Sequence, residues 1–457
     1  MKYFIGAGGI GMANLERYFL SKGEKVAGYD RTPSPLTAEL EKEGVAIVYE
    51  DDPALIPDDF RNPEKTIVVY TPAVPSDSPI LNWFKDNGFR VMKRAAILGE
   101  ITRGSKAICV AGSHGKTTTC SMIANILRQS KVGCSAFLGG ILRNTGSNLV
   151  LSETSCYTVV EADEYDRSFH HLSPEIAVVT SVDPDHLDIY GDEEGYLEGF
   201  AHFTSLIRPG GVLLVHTGLK LRPRPAEGVR VMTYSAGAGG DWHAEDIRFG
   251  EGRIEFTLIG PAGERIEKIS PGVPVEINID NAVAAAAASL LAGATEDEVR
   301  RGLSTFRGAK RRFEILLEGR DGKVALIDDY AHSPNEIEAS IRSVRKLYPG
   351  RRLTVIFQPH LYSRTRDFSD GFAEALSAAD EVIMPEIYPA RELPIPGVTS
   401  QMVLEKVDCP KKIYCERKDL LNLIKNSNFD VLMTLGAADI DLLLPEMRKE
   451  LETRDSR

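Results

Sequence analysis

Cysteine is scarce and scattered in this chain. Its six copies stand at Cys109, Cys120, Cys134, Cys156, Cys409 and Cys415, with no C-x-x-C pair. That spacing argues against a disulfide scaffold or a thiolate metal cluster and fits a reduced compartment. Long apolar runs are missing too. None approaches the roughly 20 residues that a membrane-crossing helix needs, and the opening MKYFIGAGG enters a strand directly, without a signal peptide's cleavage pattern. A cytoplasmic protein with no membrane insertion is the expectation. Positive charge is in short supply: Lys and Arg number 54 against 66 Asp and Glu, a formal net charge of -12. This argues against a general nucleic-acid or membrane binder, but leaves room for a local basic pocket that holds a phosphorylated small molecule. What remains is an ordinary folded composition, 43% hydrophobic and 26% charged in 457 residues, enough for two to four domains of about 100–200 residues each.

The stretch Ala111 to Thr119, AGSHGKTTT, organises the chain. An apolar run (Ala107 to Val110) precedes it, and a helical pattern through Met122, Ile123, Ile126 and Leu127 follows. Strand, glycine turn and helix N-terminus together cradle an anion. Gly112, Ser113, His114, Gly115, Lys116, Thr117 and Thr118 are the candidate phosphate-binding residues. Lys116 would reach the terminal phosphates and a Thr117 hydroxyl could sit on magnesium. The loop is shorter than G-x-x-x-x-G-K-[ST], and the bland alternative is a lysine on an ordinary strand-to-helix turn.

Ahead of it, Tyr3 to Ile5 enters Gly6-x-Gly8-x-x-Gly11, which has dinucleotide-fingerprint spacing. A helix follows through Leu15, Tyr18, Phe19 and Leu20, and then the strand Val26 to Tyr29 ends at Asp30, an acid able to hold a ribose hydroxyl. The physical content is that a diphosphate can approach the turn at Gly8, Gly9 and Gly11. A nicotinamide cofactor, a nucleotide sugar and a purely structural turn all satisfy it. Thr66 to Tyr70 forms another strand, with Thr71 to Pro75 as a rigid loop at its ligand-favoured end. A strand near Phe89 to Met92 and a link around Ile101 to Ser105 close the segment.

Beyond the phosphate loop, the apolar strand Cys156 to Val160 delivers Glu161, Ala162, Asp163, Glu164, Tyr165 and Asp166. A carboxylate at that point suits a magnesium ion, with Glu161 the first choice and Asp163 the second; a solvated acidic face is the alternative. The strand Ile176 to Thr180 leads to Asp185, His186 and Asp188. If the two strands are neighbours, His186 joins Glu161 at a divalent metal, oriented by Asp185 or Asp188. His170 and His171 read as packing or surface residues. Residues 221–272 read as a smaller β element, and an alanine-rich helix runs from Ile279. Asn278 and Asn281 share a face at its start, where they either contact a base or cap the helix. The basic run Phe306 to Arg312 fits a phosphate clamp or a boundary salt network.

The last segment alternates strands (Val324 to Ile327, Leu353 to Phe357, Glu381 to Met384, Val431 to Thr434) with helices, so a parallel sheet covered on both faces is expected. Polar groups at the strand ends, among them Asp328, Tyr330, His332, His360 and Arg364, are expected along one wall facing the phosphate loop. The charged tail from Arg448 is expected to fray.

Taken in order, these motifs resemble the Mur ligases, the ATP-dependent amino-acid ligases of bacterial cell-wall synthesis, over essentially the whole chain. The motifs are Gly6 to Gly11, Ser113–His114–Gly115–Lys116–Thr117, Glu161–Ala162–Asp163–Glu164, Asp185–His186, Asn278/Asn281, Asp328–Asp329–Tyr330–Ala331–His332 and Gln358–Pro359–His360. The resemblance implies an α/β, three-domain architecture: a Rossmann-like UDP-sugar domain (1–105), a central P-loop ATPase-like domain (106–312) and a Rossmann-like C-terminal domain (313–457) that closes on ATP and amino acid. It implies ATP with Mg2+ or Mn2+, phosphorylation of a substrate carboxylate, and attack by an amine on the acyl phosphate. Carried over by position, Lys116, His186, Arg311, Arg312 and His332 are the catalytic set, with one of the two arginines neutralising the transferred phosphate. Gly112 to Thr118, Asn281 (at adenine) and Asp328 hold the nucleotide, and Thr117, Glu161 and His186 hold metal. Gly8, Gly9, Gly11, Thr71, Pro72, Tyr330, His360 and Arg364 contact substrate.

The chain departs from the family pattern at Ser113, Ile277, Ser333, Leu361 and Ala437. No lysine after Asp188 matches the carbamylated lysine of the later ligases. That favours the step that joins L-alanine to UDP-N-acetylmuramate, in a monomer or weak homodimer. The competing readings are a ligase returning murein tripeptide to the same nucleotide sugar and an NAD-dependent oxidoreductase.

Overall fold

The computed structural model describes residues 1–71, 73–184, 187–237, 239–250, 252–308, 313–319, 322–390 and 392–455. Pro72, Asp185, His186, Arg311 and Arg312 lie outside the described residues. Three sheets follow one another along the chain. β1 (Lys2–Ile5), β2 (Val26–Tyr29), β3 (Ala46–Val48), β4 (Ile67–Tyr70) and β5 (Arg90–Lys93) form a parallel sheet in the order β3-β2-β1-β4-β5. The helix Arg94–Arg103 then runs to Gly104. The link expected at Ile101 is thus the last turn of a helix, and Ile101 is buried in it.

The middle sheet contains β6 (Lys106–Ala111), β7 (Ser135–Leu142), β8 (Ser147–Val150), β9 (Tyr157–Glu161), β10 (Ile176–Val179), β11 (Val212–His216), β12 (Arg230–Ser235), β13 (Trp242–Gly250), β14 (Arg253–Ile259) and β15 (Arg265–Ile269). Its order is β15-β14-β13-β12-β11-β10-β6-β9-β7-β8. The β element expected within 221–272 supplies strands that extend the central sheet. The order also corrects the expectation that the strands before Glu161 and His186 are neighbours. β6 lies between β9 and β10, so the phosphate loop emerges between their ends.

The helix Ile277–Leu291 backs this sheet. Its run Ala282 to Ala288 is wholly buried, and side chains that small let it approach the helix Lys116–Leu127 closely. The third sheet joins β16 (Glu314–Glu318), β17 (Ala325–Asp329), β18 (Leu353–Phe357), β19 (Glu381–Met384), β20 (Lys411–Tyr414) and β21 (Val431–Leu435) in the order β16-β17-β21-β18-β19-β20, parallel except for β16. The charged tail is helical to Asp455, anchored by buried Met447 and Leu451. No helix among the described residues is long and apolar enough to cross a membrane.

One core residue opposes folding. Glu16, on the helix Ile10–Ser21 behind the glycine turn, is fully buried, and neither carboxyl oxygen has a hydrogen-bond partner. Burial, reinforced by the charge of Asp30, pushes its carboxyl well above the ordinary 4.5. The folded chain then keeps a proton that the unfolded chain releases, so stability falls as pH rises above 4.5. Glu16→Leu should stabilise this segment by about 1–3 kcal/mol at neutral pH, and the gain should shrink toward pH 5. Urea unfolding followed by Trp83 fluorescence in a Trp242→Phe background measures it. An equal gain at pH 5 and pH 8 would show that Glu16 is not held protonated.

Candidate active site

The phosphate loop leaves the centre of the middle sheet at Ala111. Gly115 sits at φ +81, and a Cβ there would meet the Asn281 side chain at 2.8 Å. The left-handed turn and the close approach both require glycine. The helix Lys116–Leu127 starts at the next residue, so its unpaired N–H groups face the loop.

Two residues from the end of β10 brace the loop. Thr180 Oγ1 donates to Ala111 O at 3.1 Å, and Ser181 Oγ accepts from His114 N at 2.7 Å and from Ser113 Oγ at 3.0 Å. Ser113 Oγ in turn accepts from Asp183 N at 2.9 Å. Ser113, the family departure, thus retains a bonded hydroxyl.

Lys116 Nζ turns back on its own loop, donating to Gly112 O and, at 2.8 Å, to Glu164 Oε1. Thr117 Oγ1 donates to Glu161 Oε1 at 3.0 Å, while Glu161 Oε2 accepts from Gly139 N at 3.0 Å. Burial raises the Glu161 carboxyl, opposed by those bonds and by the charge of Lys116. A mostly buried carboxylate beside a threonine hydroxyl, at the mouth of a phosphate loop, is a hard oxygen donor set. It fits Mg2+ or Mn2+.

Cavities open on both sides of the loop. One, of about 580 Å3, is lined by Ile10, Gly11, Arg94, Ser113, Lys116 and Glu161 among others. It adjoins a second, of about 650 Å3, that Gly9, Gly11, Thr71, Arg94, Asp163 and Asp166 help to line. At Gly11 the Arg94 guanidinium occupies the space a Cβ would take, so a larger residue there would have to displace the arginine's tip. Gly8 N donates to Asp30 Oδ2 at 2.6 Å, so the acid proposed for a ribose hydroxyl serves the turn itself.

Across the loop, a cavity of about 420 Å3 is lined by His114, Gly115, Thr118, Asn281, Phe306 and Tyr330 among others. Asn281 Oδ1 accepts from Thr119 Oγ1 at 3.1 Å, and its amide donates to Asn278 Oδ1 at 3.0 Å. It fastens the alanine helix to the phosphate-loop helix at this cavity. Tyr330 belongs to this wall and not to the side near Gly11.

Not every expected strand end arrives here. Asp328 is fully buried and accepts from Thr434 Oγ1 at 2.6 Å, so it faces the next strand; its neighbour Asp329 lines the cavity. His332 stands edge-on to Tyr330 at 5.2 Å, with Nδ1 3.0 Å from Tyr330 O. His360 stacks on Tyr388 at 6.0 Å and Arg364 lies in the helix Tyr362–Asp367; neither lines these three cavities. Ser333 N donates to Glu336 Oε2 at 3.2 Å as the helix Pro334–Leu347 begins. His170 Nε2 donates to Gly199 O at 2.9 Å, and the ring stacks on Phe169, as a packing residue does. Arg94, Glu164, Thr180 and Ser181 were not singled out by sequence reasoning, and only Glu164 and Thr180–Ser181 stood beside a recognisable strand end.

Three α/β sheets in this order set a phosphate loop between a glycine-turn cleft and a mostly apolar pocket. The Mur ligase catalytic, middle and glutamate ligase domain families match residues 2–106, 110–289 and 311–437. The UDP-N-acetylmuramate–L-alanine ligase of Parabacteroides distasonis is 54% identical over 98% of this chain and 96% of its own length. That of Porphyromonas gingivalis strain W83 is 51% identical over 99% of both. Among solved structures, the UDP-N-acetylmuramate–alanine ligase of Thermotoga maritima covers 100% of this chain and 99% of its own, at TM-score 0.75 and 26% identity. A murein peptide ligase from Psychrobacter arcticus shares the fold at TM-score 0.58 and 22% identity over 98% of both. The chain belongs to the Mur ligase family.

Proposed function

We propose that this chain joins L-alanine to the carboxylate of UDP-N-acetylmuramate at the expense of ATP, in peptidoglycan precursor synthesis in the cytoplasm. The end-to-end identity with ligases of that name carries the choice of substrates. The phosphate loop shared as a wall by two cavities supports the chemistry. The cavity at Asn281 and Tyr330 takes the adenosine, and the loop N–H groups and Lys116 take the triphosphate. The nucleotide sugar lies from the glycine turn and Arg94 toward Lys116, which brings its carboxylate to the γ-phosphate. Thr117 and Glu161 would hold Mg2+ or Mn2+, which would supply positive charge to offset the repulsion of two anions. Phosphoryl transfer then yields an acyl phosphate, and the amine of alanine displaces phosphate from it. Enclosure by the C-terminal sheet keeps water from that intermediate.

The test is to incubate the protein with UDP-N-acetylmuramate, ATP and magnesium, add amino acids singly, and follow phosphate release. Release that depends on alanine supports the reading. Release only with murein tripeptide would select the recycling reaction instead.

A further inference from the structure

Lys116 is not poised toward open space. Its ammonium is held by carbonyl oxygens of its own loop and by Glu164, and the two side chains are only 13% and 3% exposed. Glu164 is fixed in place from behind, since Tyr190 Oη donates to its carbonyl oxygen at 2.6 Å. Its second carboxylate oxygen, Oε2, is buried, and among the described residues it has no hydrogen-bond partner and Lys116 is the carboxylate's one direct compensation. The chain then continues through Asp166 and Arg167 at φ +51 and +55. Two successive non-glycine residues in the left-handed region are strained. Asp163, Tyr165 and Asp166 line the sugar-side cavity at Gly9 and Thr71, while Glu164 lines the adjoining one together with Lys116. Asp166 also reaches Lys93 of β5 at 3.8 Å. One short turn therefore touches the phosphate-loop lysine, the sugar-side cavity and the N-terminal sheet.

We propose that Glu164 is a positioning residue that competes with the triphosphate for Lys116, and that its turn couples this competition to occupation of the sugar-side cavity. The inference rests on the nucleotide reading above. For Nζ to bind phosphate it must loosen a charge-assisted bond, and a carboxylate left beside the triphosphate repels it. Glu164 therefore weakens nucleotide binding by the protein alone. A nucleotide sugar contacting Asp163, Tyr165 and Asp166 shifts the turn's preference and relieves that penalty. By linkage, ATP then favours the sugar to the same extent.

Calorimetry with the β,γ-imido analogue of ATP and magnesium tests this, with and without UDP-N-acetylmuramate, on the full chain. Glu164→Gln should bind the analogue about tenfold more tightly than wild type. The nucleotide sugar should tighten wild-type binding several-fold and leave Glu164→Gln nearly unchanged. A residue that merely supports the fold would lower affinity when replaced. If Glu164→Gln proves too unstable to assay, Glu164→Asp, whose shorter reach slackens the pair, should move affinity in the same direction. Unchanged or weaker binding in these variants, with Lys116→Ala still weakening it, overturns the proposal and leaves the nucleotide site intact. Failure of wild type to bind the analogue overturns the nucleotide reading itself, and this proposal with it.

Discussion

Lys116→Ala is expected to cut ligation and ATP turnover by at least about 10³-fold, the loss seen when a cationic donor to a transition state's charge is removed. Among the described residues, no group bonded to Nζ replaces it. The other groups around Nζ are the carbonyl oxygens of Gly112 and Ser113 and the Glu164 carboxylate, all acceptors. The substitution also leaves Glu164 buried without its cation, which costs about 3–5 kcal/mol in comparable pairs, so the single variant should melt earlier than wild type. Lys116→Ala with Glu164→Gln should recover most of the lost Tm and none of the activity. Phosphate-release kinetics and thermal melts on the same preparations separate the two effects. Residual turnover within tenfold of wild type would remove Lys116 from the chemistry.

Glu161→Gln is expected to lower the ligation rate by about 10²-fold or more and to raise the half-saturating magnesium or manganese concentration at least tenfold. Both oxygens of Glu161 accept hydrogen bonds from the protein, from Thr117 Oγ1 and Gly139 N. A glutamine amide satisfies one of these and presents N–H to the other donor, so the variant loses charge and orientation together. Because the carboxylate is held by groups at both ends, Glu161→Asp cannot reach both and should be nearly as impaired. Binding of Mn2+ with the ATP analogue, followed by electron paramagnetic resonance, reads the site without turnover. Unaltered metal affinity in Glu161→Gln would make the carboxylate a brace for Thr117 and not a ligand.

What the sequence revealed of this site follows from how local each signal is. The phosphate loop is contiguous, so Gly112 to Thr117 could be read directly, and Glu161 stood at the end of an unmistakable apolar strand. Thr180 and Ser181 brace the loop only because β10 lies beside β6, and strand order is not written in any one segment. Asp328 and Asp329 differ by one residue, which in a strand means opposite faces. Choosing between them requires knowing which face of the sheet meets the cavity: Thr434 of β21, paired with Asp328, shares its face, and Asp329 points to the other. Arg94 opens a helix of no distinctive pattern, and its value appears only where it meets Gly11. The edge strand β20, Lys411–Tyr414, escaped notice because it is short and half polar, and β16 because its apolar run is only Ile315 to Leu317. The helical tail was read as fraying from its charge, although Met447 and Leu451 mark the stripe that docks it.

The phosphate loop presents Ser113 and Lys116 to one cavity and His114, Gly115 and Thr118 to the other. A partition a few residues thick means that fragments seated on its two sides can be tethered over a short distance. Once one half of such a molecule is bound, the other meets its pocket at an effective concentration near the millimolar range. Two weak fragments joined across this loop should therefore hold with an avidity that neither reaches alone, provided the tether follows the path between Lys116 and Gly115.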